Sequence, residues 1–473
     1  MKKILLVTGC WLLAIGSFGQ SISQRIEKAY QEFAADSQLS HAVSSLYVIN
    51  GRTGKVVFDK NSQVGLAPAS TQKIITAATA FELLGKEYRY KTELRYDGEI
   101  TKEGLDGSLW IVGFGDPTLG SLRYNSTKEE TVFNEFAGAL KKMNITKISG
   151  LVEASASKWQ TQYLPDGWIW QDVGNYYGAG AGGLNWRENQ FDIVLESGNK
   201  IGDAVLIKSV VPDLHETKFI SELTSAAKNT GDNAYIYLPI NSTEGYLRGT
   251  IPIGEKGFRV SGSIPDPPKE LAFLFAKYLS VQNPGGVYLI ESISNLTHSG
   301  AVKGNNTKKT NTFYTHYSPD LDSIIYWFLQ KSINLYGEAL VKTFAFEKKG
   351  FGATDTGVAI VKEFWKQRGV DDEELNIYDG SGLSPLNRVT THAQVEILKY
   401  AKTKEWFPYF YQALPVSNEI KMKSGTISDV KGFCGYHKSG DGNEYIFSFL
   451  INNYNGPASR VVNKMYKVLD VLK

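Results

Sequence analysis

Hydrophobic and polar positions follow two textures along the chain, and the switch between them divides it into three parts. Residues 20–39 place Ile22, Ile26, Tyr30 and Phe33 at helical spacing, the apolar stripe of an amphipathic helix. Residues 44–49 predict a strand, 50–54 (Asn-Gly-Arg-Thr-Gly) a turn, and 55–58 a returning strand, so a hairpin follows the first helix. Pro68 then precedes an alanine-rich apolar run that predicts a helix over 74–84, closed by Gly85.

From about residue 88 to about residue 310 the period shortens. Alternating stretches such as 90–96, 107–112, 191–195 and 234–238 are separated by Gly, Asp, Asn and Pro turns. They predict a mainly β region of roughly 200 residues, one or two domains in size. Helical spacing returns from residue 318, with helices predicted over 320–332, 334–347 and 354–368. A glycine-rich loop at 379–384 and a helix from Thr391 follow, then strands over 419–427, 432–438 and 444–452 and a helix over 458–472. Strands near both ends suggest one antiparallel sheet of about five strands covered by helices, an α+β core. Residues 21–90 and 311–473 would be the two parts of that core, and 91–310 an insertion in it.

A length of 473 residues fits about three domains. A net charge of +2, from 51 basic and 49 acidic residues, gives no electrostatic reason to expect nucleic acid or an anionic membrane surface as partner. Residues 1–20 are expected to be a secretory signal peptide. Met1-Lys2-Lys3 is its positive start, 4–15 its apolar run, and Gly16-Ser17-Phe18-Gly19 its small-residue end. The apolar run falls short of the ~20 residues that span a bilayer, so export to the periplasm is expected rather than anchoring. Val7-Thr8-Gly9-Cys10 loosely resembles a lipoprotein cleavage box, but few apolar residues precede Cys10. Cleavage leaves Cys434 as the one cysteine, so no internal disulfide is expected.

The six histidines are scattered, with no H-E-x-x-H and no short-spaced pair, so neither a metal nor a cofactor is expected. There is no G-x-S-x-G, which argues against a serine activated by histidine on an α/β-hydrolase fold. Ser70 and Lys73 offer another route. Three residues apart at a helix start, they share a face, and a lysine of lowered pKa can take a proton from serine. The bare S-x-x-K pattern is weak, because it recurs at Ser155/Lys158, Ser197/Lys200, Ser225/Lys228 and Ser428/Lys431.

Two later stretches favour the first pair. Ser332-Ile333-Asn334 lies between two predicted helices, where a loop can present a hydroxyl and an amide. Lys423-Ser424-Gly425-Thr426 lies in a predicted strand. Gly425 allows close backbone approach, the Thr426 N–H can face a developing oxyanion, and Lys423 adds positive charge. That charge would lower the pKa of Lys73 and attract a carboxylate. Taken alone, Ser332 and Asn334 also fit an ordinary helix junction, Lys423 a solvated strand, and Asp172 a turn. A second K-S-G, at Lys438, falls in a hairpin tip.

In this order, Ser70-x-x-Lys73, Ser332-x-Asn334 and Lys423-Ser424-Gly425 resemble the three motifs of penicillin-recognising serine enzymes. The long gap after the first motif is similar to that of class C, type-4 penicillin-binding proteins, the D-alanyl-D-alanine carboxypeptidase/endopeptidases. So are Gly115-Asp116-Pro117, Trp168-Ile169-Trp170-Gln171-Asp172, Tyr177-Gly178-Ala179 and 379–384. The resemblance implies hydrolysis of peptidoglycan stem peptides ending in D-Ala-D-Ala through an acyl-enzyme on Ser70, and covalent binding of β-lactam antibiotics. It makes Lys73 the base, Ser332 a proton relay to the leaving amine, and Asn334 the holder of Lys73 and the substrate amide. It makes Lys423, Ser424 and Thr426 the grip on the terminal carboxylate, with the oxyanion hole at the N–H groups of Ser70 and Thr426. Asp172 would contact the amino end of the dibasic side chain. Ser424 departs from the usual threonine but keeps the hydroxyl. A serine β-lactamase or esterase, and a low-turnover wall-binding penicillin sensor, are the alternative readings.

Overall fold

The computed structural model describes residues 21–282, 289–290 and 309–473. The expected leader 1–20, with Cys10 in it, lies outside the described residues.

The two ends of the chain meet in one antiparallel sheet, ordered Val416–Ser417, Ile420–Ile427, Val430–Lys438, Glu444–Asn452, Val43–Asn50, Val56–Lys60. Five of these strands match the sequence-based expectation. The sixth, Val416–Ser417, is two residues long, too short to leave a periodic signal. At the seam between the ends, Leu46 pairs with Phe449 and Val48 with Phe447. Strand alternation sends these four side chains to one face. There they meet Ile26, Tyr30 and Phe33 of helix Ile22–Ala34, and Val461, Met465 and Val468 of helix Ala458–Leu469. Each such buried side chain contributes about 1.5–3 kcal/mol relative to exposure. Tyr47, Ile49, Cys434 and Ile446 face the other way, toward helix Lys73–Leu84. Cys434 is a buried free thiol. The terminal helices therefore form an outer layer, and the helix carrying Lys73 lies beneath the opposite face of the sheet. That helix is buried over its first nine residues, which explains its all-round apolar sequence.

Strands Lys91–Tyr96 and Asn311–Tyr317, where the chain leaves the core and returns, are antiparallel neighbours. They belong to a mixed five-stranded sheet with Leu109–Gly113, Leu151–Ser155 and Leu289–Ile290. A second unit, built on Gln190–Glu196, Lys256–Ser263 and Glu244–Pro252, has its own core of Phe191, Ile193, Leu247 and Val260. Strands predominate here as expected, yet two unpredicted helices, Glu129–Lys142 and Pro267–Gln282, cover the first sheet. Val132, Phe133, Phe136 and Leu140 do carry helical spacing, but turn-forming sequence surrounds them. The second helix opens on Pro267-Pro268, a pair that reads as a turn although proline is well tolerated in a first helical turn.

Candidate active site

The nucleophile candidate sits where a 3₁₀ turn, Ala69–Gln72, runs into helix Lys73–Leu84. Buried Ala69 has φ +46°, a left-handed conformation that a residue with a Cβ adopts only when its surroundings impose it. Thr71 Oγ1 donates to Pro68 O at 2.6 Å and closes the turn. Gln72 Nε2 donates to the carbonyl and to Oδ1 of Asp379, at 2.6 and 3.0 Å. Ser70 is thereby left partly exposed while Lys73 is fully buried.

Lys73 Nζ donates to Ser70 Oγ at 2.8 Å, Asn334 Oδ1 at 2.6 Å and Ser381 O at 2.7 Å. All three acceptors are uncharged, so burial pushes the amine well below its ordinary pKa. The Lys423 charge pushes the same way, and Asp379 and Glu338 oppose it. A lysine in this balance can lose its proton and accept one from the serine it touches.

Asn334 opens helix Asn334–Lys349. Its amide nitrogen donates to Tyr177 O at 2.7 Å, so the side chain bridges Lys73 and the inserted region. Ser332 just before it has φ +57°, a second strained residue beside the cavity. One turn past Asn334, Glu338 accepts from Gly380 N at 3.0 Å, and its other oxygen has no hydrogen-bond partner among the described residues. Burial first, then Asp379, pushes its pKa up to about 8. A turn further, Lys342 donates to Gln162 O and Ala181 O at 2.6 and 2.7 Å. One helix face thus touches Lys73, the 379–384 loop and the insertion in succession.

Asp379 fixes that loop. It accepts from Gly382 N at 2.8 Å, Ser384 N at 2.7 Å, Asn387 Nδ2 at 2.9 Å and Trp168 Nε1 at 3.0 Å. The result is a rigid loop that presents the Ser381 carbonyl to Lys73.

Strand Ile420–Ile427 closes the other side. A Cβ on Gly425 would lie 2.6 Å from Pro68 O and 2.8 Å from Ser70 N, so only glycine permits this contact between strand and nucleophile turn. Lys423 is buried, its Nζ donates to Ser424 O at 2.8 Å, and burial pushes its pKa down to about 7. Ser70, Asp172, Tyr177, Ser332, Asn334 and Thr426 line one cavity of about 460 Å³. Burial raises the Asp172 carboxyl to about 6, against a bond from Tyr177 that lowers it.

The structure therefore brings Ser70, Lys73, Ser332, Asn334, Thr426 and Asp172 together, with Gly425 as the packing contact. The Lys423 ammonium bonds the Ser424 carbonyl of its own strand. Sequence reasoning missed the acceptors Ser381 O and Tyr177 O, because main-chain atoms carry no residue signal. Glu338 had a readable clue in its place four residues past Asn334.

The profile of the D-Ala-D-Ala carboxypeptidase 3 (S13) family matches residues 26–471. The chain belongs to that family. Among S13-like relatives it is 26% identical over 461 residues to a D-alanyl-D-alanine carboxypeptidase of Actinomadura sp. (strain R39), covering 90% of this chain and 81% of that one. It is 22% identical over 429 residues to the D-alanyl-D-alanine carboxypeptidase DacB of Haemophilus influenzae, covering 86% and 84%. The S13 chain also shares its fold with the crystal structure of H. influenzae penicillin binding protein 4. The TM-score is 0.79 at 20% identity, over 95% of this chain and 99% of that one. The same protein complexed with a β-lactam matches with a TM-score of 0.72 at 19% identity.

Proposed function

We propose that Ser70 is the nucleophile of this D-Ala-D-Ala carboxypeptidase, with Lys73 as its base. The observation that carries the reading is the fully buried Lys73 amine, 2.8 Å from Ser70 Oγ and bonded otherwise to neutral acceptors. Ser70 Oγ attacks the carbonyl between the two terminal D-alanines of a peptidoglycan stem peptide while Lys73 takes its proton. The oxyanion is held by the N–H groups of Ser70 and Thr426. Ser332 passes a proton to the departing D-alanine, Asn334 holds Lys73, and water then hydrolyses the acyl-enzyme. Lys423 and the hydroxyls of Ser424 and Thr426 favour the terminal carboxylate. Asp172, which lines the same cavity, meets the free amine of a dibasic residue in the peptide. A β-lactam ring acylates Ser70 by the same step. The same centre serves cross-linked peptides as an endopeptidase, and the setting is the periplasm, supported by the leader-like residues 1–20.

The wild-type enzyme is expected to release D-alanine from a peptide ending in D-Ala-D-Ala, and Ser70→Ala to release none. In the same assay Asp172→Asn raises KM for a peptide with a free side-chain amine about tenfold more than for its acetylated counterpart. The carboxyl titrates near 6, so the preference for the free amine fades as pH falls below that value. Equal release by Ser70→Ala overturns the reading. An unchanged preference in Asp172→Asn removes Asp172 from it.

A further inference from the structure

A second lysine beside the cavity has no task in the reaction just described. Lys431 stands on strand Val430–Lys438, paired across the ladder with Thr426. Its Nζ donates to Thr426 Oγ1 at 2.6 Å. In the sequence it belonged to one of the S-x-x-K lookalikes, Ser428/Lys431, yet its contact is with the threonine of the K-S-G-T stretch.

Three features of this arrangement point to an anion. The Thr426 hydroxyl oxygen accepts from the ammonium, so its own proton is free to be donated. Thr426 is exposed and lines the cavity that holds Ser70, so the donor opens onto the substrate space. Finally, Lys431 and Lys423 lie close enough for the Lys431 charge to help hold the Lys423 amine down. Among the described residues neither makes an ion pair with a carboxylate: Lys423 bonds Ser424 O and Lys431 bonds Thr426 Oγ1. Two like charges without a counter-ion, fronted by a hydroxyl donor, form a site that an entering carboxylate would complete. Of the two, Lys423 is only 2% exposed and bonded to its own strand, whereas Lys431 is half-buried and bonded to Thr426, which lines the cavity. The groups facing Lys431 include the Thr426 hydroxyl and the Phe433 ring, 5.1 Å from its Nζ.

We propose that Lys431 is a specificity-determining residue, the cation that selects a free C-terminal carboxylate on the substrate by acting through and beside the Thr426 hydroxyl. The inference rests on acyl transfer at Ser70 and adds Lys431 to the groups, Lys423, Ser424 and Thr426, already assigned to the terminal carboxylate. Lys431 touches no reacting atom. Its removal weakens capture of the substrate's end and leaves the chemistry of Ser70 and Lys73 in place.

The test compares kcat/KM for two matched peptides, one ending in D-Ala-D-Ala carboxylate and the other in its carboxamide, with active sites counted by penicillin titration. The wild type is expected to prefer the carboxylate. Lys431→Met is expected to lower the carboxylate-to-carboxamide ratio about tenfold, chiefly through KM, and Lys431→Arg to restore most of it. Lys431→Gln, which also removes the charge but keeps a polar end, is expected to lower the ratio too, and serves if Lys431→Met does not fold. An unchanged ratio in Lys431→Met, or in Lys431→Gln should that variant stand in, overturns the inference, as does an equal fall for both peptides. No turnover of either peptide by the wild type overturns the acyl-transfer reading and this inference with it. Wild-type turnover with an unchanged variant ratio overturns this inference alone.

Discussion

Lys73→Met is expected to slow acylation of Ser70 about 10³-fold, the scale of a lost general base. Methionine approximates the shape of the lysine stem in a fully buried position, so the loss falls on proton transfer rather than on packing. In the wild type the acylation rate rises with pH as Lys73 loses its proton. Burial and the Lys423 charge hold that amine well below its ordinary value, so the rise is complete well before the pH at which a solvated lysine titrates. Four charged or titratable groups set the position: Lys73 itself, Lys423, Asp379 and Glu338. Burial pushes the Glu338 carboxyl up to about 8, so the counter-charge it offers Lys73 fades as pH falls below that value. Lys423→Met removes a repelling cation, so the Lys73 pKa rises and the acylation limb moves to higher pH. Stopped-flow acylation by a chromogenic β-lactam across pH checks both statements. Near-wild-type acylation by Lys73→Met would remove lysine from the base role.

Gly425→Ala has the next largest effect. The added methyl would meet Pro68 O and the amide nitrogens of Ser70 and Thr71 at 2.6–2.8 Å. Those are backbone atoms of the turn that carries the nucleophile and cannot swing aside as a side chain would. The strand must back away, which separates the Thr426 N–H from Ser70 N–H and opens the proposed oxyanion hole. Displacement of about 1 Å costs roughly 100-fold in rate, and the overpacking destabilises by about 1–3 kcal/mol. Acylation kinetics together with thermal unfolding measure the two parts. Wild-type acylation in Gly425→Ala would show that the approach of strand to turn is not needed for catalysis.

Much of the core was legible because its signals are local. The alternation in 419–427, 432–438 and 444–452 carried three of the sheet strands, and the 44–58 hairpin carried two more. Helical spacing let Lys73 reach Ser70, the later motifs chose this pair over four lookalikes, and the two side chains meet in a 2.8 Å bond. What the sequence withheld depends on tertiary placement. The direction of the Lys423 ammonium is decided by a carbonyl on its own strand, and nothing in Lys423-Ser424-Gly425 states which way the side chain turns. The Ser381 carbonyl reaches Lys73 only because Asp379 gathers the loop around it. Lys431 looked like part of a spurious motif until strand pairing put it opposite Thr426. Helix Glu129–Lys142 was hidden for a different reason, since a single amphipathic stretch among short strands gives no contrast by which to recognise it.

The most direct test of the central reading is peptide mass spectrometry after incubation with benzylpenicillin. The prediction is one penicilloyl group, carried on the peptide containing Ser70 and absent from Ser70→Ala. An adduct on any other residue, or none on a folded wild-type enzyme, would contradict Ser70 as the nucleophile.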